Sequence, residues 1–146
     1  MRKVGLILGV GILLATSWYF YTYKKEDLRV IKMAETELTV EVANNPLEWQ
    51  RGLSGRPSLG ADRGMLFAFD KPDRYGFWMK EMNFPLDIAW IDRNQKIIYM
   101  LSNVAPSSYP EIFYPDGEAL FVLETNSGFF AKNKIEVGQT LEMNDF

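Results

Sequence analysis

The run LDIAWIDRNQKIIYML, Leu86 to Leu101, decides the fold. Two apolar stretches, Leu86–Ile91 and Lys96–Leu101, flank Asp92-Arg93-Asn94-Gln95, and short apolar runs around a polar turn predict a β-hairpin. Upstream, Met65–Phe69 is a compact apolar run that reads as a buried strand. Asp70-Lys71-Pro72-Asp73 then reads as a turn and Tyr75–Lys80 as the partner strand. Leu38, Val40 and Val42 alternate with Thr39, Glu41 and Ala43, the period-2 signature of a half-buried strand. Downstream, Ala119–Leu123 and Thr140–Met143 read as strands, and Ser102–Gly117, with Pro106, Pro110 and Pro115, does not.

Only two short helices are expected. Asn45 as N-cap, Pro46 at the first helical position, Glu48 as the capping-box partner and Gly52 as the terminator predict a helix over Pro46–Arg51. Asn126-Ser127 are expected to cap a second through Lys132. About seven short strands without long crossover helices predict a mostly β, small antiparallel β-barrel-like domain with two short helices, or else a sandwich.

The chain of 146 residues is 47% hydrophobic and 24% charged, ordinary for a globular domain and incompatible with a disordered one. It has no Cys and no His, which excludes disulfides, thiolate chemistry, His-metal sites and Ser-His-Asp catalysis. No cofactor and no metal are expected. From Leu28 to Phe146 there are 12 basic and 17 acidic residues, a net −5 without a basic stripe, so nucleic acid is not an expected partner.

The N-terminus reads differently. After Arg2 and Lys3, residues 4–23 form an uncharged run of 20 residues with Trp18, Tyr19, Phe20, Tyr21 and Tyr23 at its far end. A helix of that length matches a hydrocarbon core of roughly 30 Å, and the rings suit the headgroup region. One N-terminal transmembrane helix is therefore expected, with the basic start in the cytoplasm and the C-terminal domain outside it. A signal peptide cleaved near Ala15-Thr16-Ser17 is the alternative, giving a secreted domain. The expected organisation is a membrane anchor or signal segment over 1–27, a linker over 28–37 and a single β-rich domain over 38–146.

Four charged residues stand in apolar surroundings: Arg51, Lys80 in FWMKEM, Asp87 in FPLDIAW and Glu124 ending LFVLE. Structural pairing is the bland explanation, Lys80 with Asp87 or Arg51 with Glu124, or a carboxylate accepting backbone N–H bonds. The functional one is a polar cluster at the barrel mouth, beside an apolar groove with Trp78, Met79 and Met82, binding an anionic or zwitterionic ligand. Arg51, Trp78, Lys80, Asp87 and Glu124 are thus the candidate binding residues. Asp87 and Glu124 could alternatively form the carboxylate pair of a glycan hydrolase, if they lie about 5–9.5 Å apart. No P-loop, GxGxxG or GxSxG motif occurs.

The order WQRGLSGRPSL (49–59), DRGMLFAF (62–69), FWMKEMNFPLDIAWID (77–92), VAPSSYPEIFYPDG (104–117) and ALFVLETNSGFFAKNKIEVGQ (119–139) resembles the domain-of-unknown-function family numbered 192, over about Leu38–Met143. The resemblance implies a compact, mostly β, barrel-like domain, often behind a signal peptide or anchor. It implies no activity, and so no catalytic residue. Arg51, Gly52, Gly64, Phe77, Trp78, Met79, Lys80, Leu86, Asp87, Pro106, Tyr114, Glu124 and Gly128 match the family pattern. Many members carry cysteines after the Ala-Pro pair, where this chain has Ser107-Ser108-Tyr109-Pro110. The functional expectation is a membrane-anchored extracytoplasmic module that binds a small ligand or an envelope protein. A hydrolase of envelope glycans and a purely structural envelope protein are the alternatives.

Overall fold

A computed structural model describes residues 27–143. The chain order is β1 (Leu28–Met33), β2 (Thr36–Ala43), α1 (Pro46–Arg51), β3 (Arg63–Asp73), β4 (Leu86–Ile91), β5 (Ile97–Val104), β6 (Ala119–Asn126), α2 (Phe129–Lys132) and β7 (Leu141–Met143). The seven strands form one sheet in the order β5-β4-β6-β3-β2-β1-β7. Its outer strands meet where Lys96 bridges Thr140 and the Leu141 N–H donates to the Gln95 carbonyl at 2.8 Å, so the sheet curls into a half-barrel.

The fold is mostly β with two short helices, as expected, and the β4–β5 hairpin is present. Five local expectations are corrected. The sheet is not wholly antiparallel: β2 and β3 run parallel, joined by a crossover that includes α1. Residues 28–37 are not a linker but β1 and the start of β2, because Ile31 and Met33 alternate with Lys32 and reach the core. The sequence hides this strand because Val30 is exposed.

The segment over 70–73 is not a turn, since β3 runs to Asp73. Tyr75–Lys80 is not a strand either. Along Gly64–Phe67 both edges of β3 are already occupied by β2 and β6, leaving no ladder there to join. Its backbone is satisfied piecemeal: Phe77 pairs with Phe113, the Tyr75 carbonyl accepts the Trp90 indole N–H, and the Lys80 carbonyl accepts the Ser54 hydroxyl.

Helix α1 starts as expected, with the Asn45 side chain accepting the Glu48 N–H at 3.2 Å. At its end Gly52 has φ +49°, and a Cβ there would meet the Phe67 ring at 3.2 Å. Helix α2 is not capped by Asn126 or Ser127. Asn126 donates instead to the Leu59 and Gly60 carbonyls, Ser127 donates to Asn103, and Gly128 stands at the N-cap.

Two apolar cores lie on the two faces of the sheet. Ile31, Leu38, Val40, Leu66, Leu123 and Phe130 fill the concave side. Met65, Phe67, Phe77, Ile88, Trp90 and Val122 form the second, under α1 and the 75–84 segment. Strand β4 is buried at every position because Ala89 and Ile91 face one core and Ile88 and Trp90 the other. Among the described residues no helix is long and apolar enough to cross a membrane. Residues 4–23, on which both the anchor reading and the cleaved-signal alternative fall, lie outside the described residues.

Candidate functional site

Strand β6 lies between β3 and β4, with Glu124 opposite Met65 and Ile88. Glu124 therefore shares their face and projects into the second core, while Thr125, opposite Asp87, faces the other way. Glu124 is only 5% exposed, and the Arg56 guanidinium is near enough to act on its carboxyl. It forms part of the wall of a cavity of about 130 Å³.

Three other elements complete that cavity. Helix α1 contributes Trp49, Gln50 and Arg51; β3 contributes Phe67 and Phe69; the irregular segment after β3 contributes Tyr75, Phe77 and Trp78, with Met82 beyond. Ring packing sets the walls. Phe69 and Tyr75 stack with centroids 3.6 Å apart and planes 11° apart, Trp49 leans on Phe69 at 5.0 Å, and Phe67 meets Phe77 edge-to-face at 4.8 Å. Trp49 is held by its own polar handle, since its indole N–H donates to the Ala43 and Ala68 carbonyls and ties α1 to the ends of β2 and β3.

Of the five candidate residues, the structure brings three to this cavity. Glu124 is buried in it, while Arg51, at the end of α1, and Trp78 are exposed residues of its lining. Lys80 stands outside the lining, with its Nζ 6.0 Å from the Trp78 ring centroid. Met79, also expected in the groove, is buried in the core instead. Neither expected ion pair forms: among the described residues the salt bridges are Arg29–Asp27 and Arg56–Glu41.

Asp87 belongs to the other face. It is fully buried and accepts the Asn103 N–H at 2.9 Å and the Phe130 N–H at 3.0 Å. Asp87 is thus the missing cap of α2, supplied from across the sheet. The opposite orientations of Asp87 and Glu124 deny the carboxylate pair that glycoside hydrolysis requires. Among the described residues no cluster of acidic side chains could hold a metal ion.

Sequence reasoning missed Trp49, Phe67, Phe69 and Tyr75 as site residues. It also missed Arg56, which is paired with Glu41 through two contacts of 2.6 Å. The aromatic density of 65–84 was the available signal, but core and cavity draw on the same ring types.

Burial pushes the Glu124 carboxyl from its ordinary 4.5 up to about 8, with the Arg56 guanidinium pulling the other way. Between those values the folded chain keeps a proton that the unfolded chain releases. Stability therefore falls as pH rises from about 4.5 to about 8. Glu124→Gln should flatten that slope and give a higher Tm than wild type at alkaline pH. Urea titrations across the range check this, and an unchanged slope in the variant would assign the effect to another group.

The comparisons with known proteins agree on the fold. A "putative transcription regulator" from Sinorhizobium meliloti has a crystal structure that superposes with a TM-score of 0.76 at 28% identity, covering 80% of this chain and 94% of that one. A protein of unknown function from Novosphingobium aromaticivorans gives 0.75 at 28% identity, over 83% of this chain and 89% of that one. No curated protein matches. The model of the family DUF192, described as "Uncharacterized ACR", matches residues 29–143, from β1 through β7, and the chain belongs to that family.

Proposed function

We propose that this protein is a membrane-anchored, extracytoplasmic binding module whose ligand occupies the cavity between α1, β3 and β6. One observation carries the reading. Glu124 is a nearly buried carboxyl, and it lines a cavity that also draws on six aromatic side chains. Burial disfavours the charged form of this carboxyl, and a ligand that supplies it a partner offsets that cost. An apolar pocket with a few convergent polar groups and a perturbed carboxyl is the usual form of a small-molecule site. The uncharged run over 4–23, behind Arg2 and Lys3, supports a single N-terminal membrane helix with the β domain outside the cytoplasm. The regulator description of the Sinorhizobium meliloti neighbour is not extended to this chain, whose net charge of −3 favours no nucleic-acid contact.

The test is a thermal-shift comparison using a low-molecular-weight envelope extract. A ligand at a hundredfold excess over its Kd adds about 2.7 kcal/mol to stability, so wild-type Tm should rise. Trp78→Ala, at an exposed position of the wall, should keep the basal Tm and lose most of the shift. Equal shifts in both proteins, or none in either, would defeat the binding claim. A C-terminal reporter active only in the cytoplasm would defeat the topology.

A further inference from the structure

We infer that the cavity over Glu124 takes a small organic cation, a substituted ammonium group held between ring faces and the carboxylate; this rests on the binding reading above. Four observations converge on that chemistry. Six rings line the cavity, with Phe69 and Tyr75 stacked 3.6 Å apart and Trp49 tilted against Phe69. Aromatic faces carry the negative end of a quadrupole and attract a cation within about 6 Å. The polar group at the enclosed end is a carboxyl, only 5% exposed, which on losing its proton presents a negative charge to a bound cation. The size is right as well. An apolar cavity of about 150 Å³ admits benzene, and this one, at about 130 Å³, suits a trimethylammonium-sized group. Finally, Trp78 already accepts a cation at the mouth, where Lys80 Nζ lies 6.0 Å from its ring centroid.

A neutral polyol would draw on Gln50, Arg51, Ser54 and Glu124 but would make no use of the quadrupoles of the six aromatic rings in the lining. Arg56 acts on Glu124, but its guanidinium is paired with Glu41 through two contacts of 2.6 Å, which offsets its charge. Arg51 does not oppose a cation at the enclosed end, because it is solvent-exposed at the mouth, where its charge is screened. It is placed to meet an anionic part of the same ligand reaching outward. Below about pH 8 binding then moves one proton. Burial keeps the empty-site carboxyl protonated, an ammonium group stabilises the carboxylate, and the proton leaves to solvent as the ion pair forms.

The experiment is calorimetric titration of the full chain with choline, and with its uncharged isostere in which carbon replaces the nitrogen. At about pH 9 choline should bind at least about tenfold more tightly than the isostere. Its affinity should fall about thirtyfold by about pH 6.5, as expected for displacing a proton from a group that titrates near 8. Runs at about pH 6.5 in buffers of different ionisation enthalpy should show the released proton. Glu124→Gln, at unchanged fold, should lose the pH dependence and about tenfold or more of the affinity.

Choline binding better than glycerophosphocholine assigns a free ammonium ligand, and the reverse order assigns a lipid headgroup; both uphold the class. If the isostere binds as well as choline, the cation inference falls and the binding reading stands. If choline does not bind while the extract still shifts Tm, the inference again falls alone. If no probe binds and the extract gives no shift, the binding reading falls with it.

Discussion

Trp90→Ala should cost about 3–5 kcal/mol, the largest loss expected of any single substitution in the domain. Trp90 is fully buried in β4, and its ring meets Phe77 edge-on at 5.8 Å and Tyr99 at 5.4 Å. Truncation opens a void that these neighbours fill only partly, because they are held by strands and by each other. It also removes the indole N–H that donates to the Tyr75 carbonyl at 2.8 Å. Tyr75 is the ring stacked on Phe69 in the cavity wall, so the same change should loosen the site. Urea denaturation measures the loss, and ligand-induced Tm shifts measure the loosening. Trp90→Phe separates the two contributions: it keeps most of the packing and loses the hydrogen bond, about 1 kcal/mol. A loss below about 1 kcal/mol for the alanine variant would mean that the second core does not fold with the sheet.

Asp87→Ala should cost about 3 kcal/mol, from two charge-assisted hydrogen bonds removed at a fully buried position. The groups left behind are the Phe130 N–H at the start of α2 and the Asn103 N–H, which sits at φ +56° in β5. With no side-chain cap on Gly128, nothing local replaces the carboxylate at α2. Asp87→Asn should rescue only in part, since one of its two polar atoms is a donor and would face another N–H. Amide exchange at Phe130 is the discriminating measurement, and protection as strong as wild type in the alanine variant would remove Asp87 from the capping role. Ligand shifts of Tm should survive in Asp87→Asn, because the residue faces away from the cavity.

These two residues mark where sequence reading succeeds and where it stops. Trp90 was legible as core: it stands in an apolar run beside a turn, and the hairpin over 86–101 follows from that pattern alone. Helix α1 was legible in its cap, because Asn45, Pro46 and Glu48 act on neighbours in the chain. The cap of α2 was not, because it comes from Asp87, 43 residues away. Asp87 and Glu124 look alike in sequence, each a carboxylate in an apolar run. A one-position difference in sheet register sends one to a helix start and the other to a cavity.

The misread segments follow the same rule. Strand β1 has only two buried positions, too few for periodicity to stand out from its charges. Tyr75–Lys80 carries strand-like rings, but pairing depends on a free edge, and along Gly64–Phe67 β3 has none to offer. The parallel β2–β3 pair was hidden for a related reason, since nothing in either strand records the direction of its neighbour.

By itself the sequence determined the β class, the position of most strands, the first helix, the absence of thiol and imidazole chemistry, and the family. Each depends on composition or on residues close together in the chain. Only the tertiary structure decided which carboxylate is a cap and which faces a cavity, which rings are core and which are wall, and that the sheet's two edges meet. Those outcomes depend on register and on contacts between distant segments, and side-chain identity alone does not encode what will lie opposite.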